Sequence, residues 1–271
     1  MAYAIVNQLI ILLGSRVTWT PEKYVRGNYF QNEVNEIFRK SFAVQPSGAV
    51  LDIGCGDGQY SSLLAAKLKY GHILGIDSSE EMIKHANQHW AQENLSFAVH
   101  DIEEFEAHSV FDFVLSFWCL HWTDIELSLP RIFHALKKGG RMYAVLSSFS
   151  DNSIRQVWHE LAKQKRYEEF AHQRILLGDE NQDFFFRVLN TLNQIPFKHV
   201  KLELKTVSIY FPEPDYFKNL LLTLPFIKTI PAEDSDDLIE AMFQAFKIIC
   251  QRKYNGALHY ETRPIFLEAI K

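Results

Sequence analysis

Through the first half of the chain, short apolar runs alternate with stretches whose apolar positions recur at helical spacing. Residues 49–53, 73–76, 95–99, 111–116 and 141–146 are rich in Val, Ile, Leu and Phe and have the length of strands. Val34, Ile37, Phe38 and Phe42 fall at i, i+3, i+4 and i+8, which predicts a helix over 21–42. A second helix is expected over 59–69, ended by Gly71. Ser78 or Ser79 can cap a third helix, which turns Met82, Ile83 and Ala86 inward; Glu81 follows Ser78 as in a capping box. The run 125–137 reads as a helix closed by Lys137-Lys138-Gly139-Gly140, basic at its carbonyl end and then glycine.

Strands alternating with helices imply an α/β protein with a mainly parallel, doubly wound sheet. From Ser147 the pattern changes. Residues 153–173 and 181–193 read as helical, 200–204 and 206–210 as two late strands, and the rest as helical with one last short strand. The expected architecture is a Rossmann-like, seven-stranded sheet. Residues 1–18 form an N-terminal extension, and 19–271 one domain with a helical cap inserted at about 150–197.

The first strand runs into Gly54-Cys55-Gly56-Asp57-Gly58, with Asp52 two places before the first glycine. Alternate glycines let the backbone bend sharply and approach a ligand without an intervening Cβ. A dinucleotide fingerprint needs G-x-G-x-x-G, but the third glycine comes one residue early here, and no P-loop Gly-Lys pair is present. A carboxylate at Asp52 would repel a pyrophosphate and attract an ammonium group. The pattern therefore favours a cofactor with an aminoacyl end, such as S-adenosylmethionine.

Other strand ends extend the set. Asp77, ending the second strand, can accept from ribose hydroxyls or serve as an ordinary helix cap. Asp101 can accept from an exocyclic amine while Ile102 and Met82 hold a flat base, or the two apolar residues can be plain core. Ser116-Phe117-Trp118-Cys119-Leu120-His121-Trp122 follows the fourth strand, where ligands of such sheets bind. Trp118 is expected to face the core, with His121 and Trp122 facing the cavity.

Composition narrows the function classes. The chain has 271 residues, 47% of them hydrophobic, enough for a sizeable core. A net charge of −5 and the absence of a basic helix face argue against a nucleic-acid partner. Three scattered cysteines (Cys55, Cys119, Cys250) suggest a reducing compartment. The apolar run Leu9–Leu13 is far shorter than the roughly 20 residues that span a bilayer, so a cytoplasmic protein without stable membrane insertion is expected. No metal-ligand spacing stands out among the eleven histidines.

The motifs LDIGCGDG (51–58), GID (75–77), HDIE (100–103) and LKKGG (136–140) together resemble those of class I S-adenosylmethionine-dependent methyltransferases. The resemblance implies a methyl-donor site built from Tyr24, Asp52, Gly54, Cys55, Gly56, Asp77, Ser78, Met82, Asp101, Ile102, Ser116 and Phe117. SFWCLHWTD (116–124) and the early Tyr24, Asn28 and Gln31 are similar to the juvenile hormone acid methyltransferase branch. Trp19-Thr20-Pro21 is similar instead to the trans-aconitate branch. Both branches methylate a free carboxylate. The resemblance implies that Gln31 and Trp122 hold the substrate carboxylate and that Tyr24 closes over the methionine end of the cofactor. Gln31 stands near where the trans-aconitate branch has an Arg, which favours a monoacid with an apolar body.

A carboxylic acid is already ionised at pH 7 and needs no general base. The aromatic residues Trp158, Tyr167, Phe170, Phe184, Phe185 and Phe186 are candidates for an apolar acid cavity. Two other readings stay open: methylation at N, O or C of another metabolite with His121 as base, and cofactor binding without turnover. A DNA methylase is disfavoured, since no Asn-Pro-Pro-Tyr-like motif follows strand four.

Overall fold

The computed structural model describes residues 27–40, 42–149, 152–179, 183–224, 227 and 232–271. The expected extension 1–18 and Tyr24 lie outside them. The chain divides into two compact units, one holding residues 44–143 with 270–271, the other the described part of 23–43 with 144–269.

In the first unit, β1 (Ala49–Ile53) is buried along its whole length. It pairs in parallel with β2 (His72–Asp77) on one side and β4 (Phe111–Phe117) on the other, and β2 pairs in parallel with β3 (Leu95–Val99). A central parallel strand is covered on both faces, which is why its sequence is an unbroken apolar run apart from Asp52. The crossovers are α2 (Gln59–Ala65) and α3 (Glu80–His89). Ser79, rather than Ser78, caps α3, its hydroxyl accepting from Met82 N at 3.3 Å, and Glu80 and Glu81 complement the positive helix end. After β4 a short 3₁₀ turn (Leu120–Trp122) leads to α4 (Ile125–Ala135), capped by the Asp124 side chain.

β5 (Leu136–Leu146) starts directly after α4, so the expected helix end at Lys137 is corrected. Gly139, at φ +79°, bends a strand instead of closing a helix. Lys271 holds that bend: its carbonyl accepts from Gly139 N, its N–H donates to the Gly140 carbonyl, and its Nζ donates to the Leu136 carbonyl at 2.7 Å.

The second unit contains α1 (Tyr29–Arg39), α5 (Ser153–Leu161), α6 (Glu168–Asp179), α7 (Phe184–Gln194), β6 (His199–Leu204), β7 (Val207–Tyr210), α8 (Pro214–Thr223), α9 (Ala232–Tyr254), β8 (His259–Thr262) and all but the last residue of β9 (Ile265–Ile270). Its core is aromatic. Phe217 stacks on Phe246 at 4.0 Å, Phe211 lies parallel to Tyr260 at 5.7 Å, and Phe38 of α1 stacks on Phe266 at 4.8 Å. Of the aromatics expected to line an acid cavity, Trp158 and Phe184 are buried as core, whereas Phe186 is 62% exposed.

Seven strands form one sheet in the order β3-β2-β1-β4-β5-β9-β6, which is the Rossmann-like α/β class expected. Two strands, β8 and β9, stand near the end of the chain where one was expected, and β9 joins this sheet between β5 and β6. The expected late strand 206–210 is β7, which pairs antiparallel with β8 in a separate two-stranded sheet. Among the described residues no helix is long and apolar enough to cross a membrane.

Candidate active site

The strand order reverses between β1 and β4, so their carboxyl ends diverge and leave a crevice. The loops after β1, β2, β3 and β4 meet there. Gly54, Gly56 and Gly58 all have positive φ (+70°, +56° and +82°), folding the β1 loop back onto the end of β2. Gly54 N and Cys55 N both donate to the Ile76 carbonyl, and Gly56 N donates to Asp77 Oδ2 at 3.1 Å.

The glycines answer to packing as much as to a ligand. A Cβ on Gly54 would stand 2.3 Å from Cys119 Cβ and 2.4 Å from its Sγ. One on Gly58 would stand 2.7 Å from Ala86 Cβ and from the Phe97 ring. The space expected to admit a ligand at Gly54 is therefore taken by Cys119 of the β4 loop. Burial pushes the Cys55 and Cys119 thiols up, so both stay protonated.

A cavity of about 50 Å³ opens among these loops, lined by Ile53, Gly54, Ile76, Asp77, Ser78, His100, Asp101, Ile102, Cys119 and Thr123. Five of the expected donor-binding residues meet here: Gly54, Asp77, Ser78, Asp101 and Ile102. Asp77 is steered by Gly56 N and by Ser79 N, which donates to its Oδ1 at 2.9 Å; burial raises its pKa above the usual range. Each Asp77 oxygen has a second lone pair to accept from a hydroxyl. The lining offers two carboxylates and no lysine or arginine. Those two acceptors fit the hydroxyls and amine of a nucleoside and would repel a phosphate.

Other expected residues lie below the cavity. Asp52 is 3% exposed and accepts from Ser61 Oγ at 2.5 Å; burial pushes its carboxyl up to about 6. Ser116 is fully buried and its hydroxyl donates to the Ile53 carbonyl at 3.1 Å, joining β4 to β1. Phe117 is buried and packs edge-on to Tyr60 at 4.9 Å. Met82 is 2% exposed in the core, so of the expected base-flanking pair Ile102 lines the cavity and Met82 does not. Cys55 is also buried.

The β4 loop departs from expectation. Trp118 is not sheet core: it sits half-buried at φ +59°, edge-on to His121 at 6.3 Å. From this loop, Cys119 and Thr123 line the cavity, while Trp122 is 55% exposed. Burial depresses the His121 imidazole to about 3. Gln31, in the other unit, is half-buried on α1, one turn before buried Val34 and Asn35; its Oε1 is buried without a hydrogen-bond partner among the described residues. The residues missed from sequence are Ile53, Ile76, His100, Cys119 and Thr123. Their signal was position alone, at or just past the carboxyl ends of strands.

A methyltransferase domain family matches residues 50–140, spanning β1 to the start of β5. The silkworm Bombyx mori juvenile hormone acid O-methyltransferase is 29% identical over 201 residues, 70% of this chain and 71% of that one. These matches support a class I S-adenosylmethionine-dependent methyltransferase domain in this chain. The malonyl-[acyl-carrier protein] O-methyltransferase of Herminiimonas arsenicoxydans is 27% identical over 64% of this chain and 62% of that one. Among solved structures, a Haemonchus contortus phosphoethanolamine N-methyltransferase 2 in complex with S-adenosyl-L-methionine shares the fold, with a TM-score of 0.60 at 17% identity. The alignment covers 94% of this chain but 58% of the Haemonchus contortus chain, and the match to a relative from Invertebrate iridescent virus 6 covers 51% of that protein.

Proposed function

We propose that this methyltransferase transfers the methyl of S-adenosylmethionine to the carboxylate of a small, largely apolar acid. The cofactor supplies an electrophilic methyl on a sulfonium; the protein supplies placement and exclusion of water. In this reading Asp77 accepts from the ribose hydroxyls, Asp101 from the adenine amine, and Ile102 packs on the base. Gly54, Cys55, Gly56 and Ser78 shape the backbone around it. Asp52, with Ser116 and Phe117 packed in the same layer, acts from below: its buried charge draws the ammonium without touching it.

The Trp122 indole N–H is a neutral donor that can hold the acceptor carboxylate and leave its nucleophilicity intact. Gln31, on α1 of the other unit, is a candidate to be tested by itself, its NH₂ being a neutral donor for a carboxylate. Orienting the two reactants can supply roughly 7–11 kcal/mol of barrier lowering.

The observation that carries this reading is the place of His121, which does not line the cavity where the donor would bind. A general base works best with a pKa near the operating pH, and an imidazole depressed to about 3 is a weak one. A carboxylic acid needs no base; a phenol or an amine does. The relatives named for juvenile hormone acid and malonyl-[acyl-carrier protein] O-methylation, and a Deinococcus radiodurans trans-aconitate 2-methyltransferase 31% identical over 127 residues, support an acid acceptor.

The test is a mass-spectrometric panel of apolar acids, phenols and amines with the methyl donor. Methyl esters are expected, and His121→Ala should retain kcat/KM for them within about threefold. Labelled phenols or amines with no ester, together with loss of turnover in His121→Ala, would overturn the proposal.

A further inference from the structure

We propose that Glu103 is a positioning residue that sets the width of the methyl-donor pocket by bracing the loop after β3 against the start of α4. The proposal rests on that cavity being the donor's site. One wall of the cavity is His100, Asp101 and Ile102; another includes Cys119 and Thr123. Glu103 follows the first wall directly. Its Oε1 accepts from Asp124 N at 2.7 Å, and Asp124 follows Thr123 of the second wall. A single side chain therefore links the two walls from outside the cavity.

The link is directional. Glu103 N donates to Asp101 Oδ1 at 2.9 Å, and Glu104 N donates to the Asp101 carbonyl, so the backbone that carries Glu103 also aims the Asp101 carboxylate. Asp124 is the cap of α4, its own side chain accepting from Glu126 N at 2.9 Å. The Glu103 carboxylate thus lies at the positive end of an eleven-residue helix, where an anion is favoured. Farther along α4, Arg131 Nη1 donates to the Phe105 carbonyl at 3.3 Å, and its guanidinium approaches Glu106 at 3.8 Å. The segment 103–106 is therefore fastened along α4 at two points, and the one nearer the cavity is Glu103. Glu103 does not line the cavity; it acts through Asp101 and Thr123.

Calorimetric titration of the full chain with S-adenosylmethionine, and separately with S-adenosylhomocysteine, tests this. Glu103→Ala should weaken both by about tenfold, the size expected for a lost charge-assisted hydrogen bond. Glu103→Gln keeps an acceptor oxygen and should recover most of the affinity. Glu103→Asp is one methylene too short to reach Asp124 N and should resemble the Ala variant. Glu104→Ala, exposed on the same loop, should bind as the unmodified chain does. Wild-type affinity in Glu103→Ala, or equal loss in the Gln and Ala variants, overturns the proposal, as does a lowered Tm with unchanged affinity. If Glu103→Ala fails to fold, the Gln and Asp variants decide. Asp77→Asn separates the two readings. It should weaken donor binding by tenfold or more; wild-type binding there would remove the donor site itself, whereas loss there with none at Glu103 would remove the brace alone.

Discussion

The loops after β1 and β4 lie side by side and reach the left-handed backbone region by opposite means. The β1 loop does so at Gly54, Gly56 and Gly58, where no Cβ opposes it. The β4 loop does so at Trp118, a bulky residue for which φ +59° is uncommon. Glycine makes the first bend a local property of the sequence. The second bend is imposed from outside, by the packing that seats Cys119 in the space left by Gly54. The first loop is therefore intrinsic, and the second depends on its neighbour.

The largest test of this dependence is Gly54→Ala. The new Cβ would overlap Cys119 and also meet a positive φ. Calorimetry should show donor affinity falling by 100-fold or more, and Gly54→Ala with Cys119→Gly should recover part of it. No recovery in the double variant would mean that backbone strain, not the interlock, governs the position.

A smaller effect is expected beneath the β1 loop. The Asp52 carboxyl keeps its proton in the folded chain up to about pH 6, whereas an unfolded chain releases it near 4. Its contribution to stability is therefore full below about pH 4 and is lost as pH rises through about 6. The change is roughly 3 kcal/mol, from a shift of about two units. Denaturant titrations should show Asp52→Asn more stable than the parent at pH 8 and equal to it at pH 4. Donor affinity should rise from pH 5 to pH 7 in the parent, as the carboxylate forms, and flatten in Asp52→Asn.

The smallest effect is expected at Trp118. Trp118→Gly relieves a left-handed backbone costing about 1–2 kcal/mol while removing half-buried ring packing, so the two nearly cancel. The Tm should move by only a few degrees. A large drop would show that the indole, more than the Cys119 seat, holds the β4 loop.

This contrast also marks what could be read from the chain. Central strands such as β1 announce themselves as apolar runs, and the Gly54–Gly58 turn and the acid at Asp77 are local signals. The family resemblance had its motifs in the same segments, and those signals placed five cavity-lining residues in advance. The rest depended on partners distant in sequence. Nothing near Lys137-Lys138-Gly139-Gly140 tells that Lys271 will pair with it and turn a helix stop into a bent strand. Nothing near 206–210 tells that the strand will pair with 259–262 outside the main sheet. Thr123 and Cys119 reach the cavity through a backbone twist at Trp118, a residue type that argues against such a twist. The brace at Glu103 joins two loops whose side chains carry no mutual pattern.

An acid kept in the middle of the most enclosed strand leaves the empty protein burdened at neutral pH. A ligand present at a hundred times its Kd stabilises the fold it binds by about 2.7 kcal/mol, close to the cost at Asp52. How much of this enzyme persists in a cell should then follow the supply of methyl donor, falling when that supply is starved even if synthesis of the chain is constant.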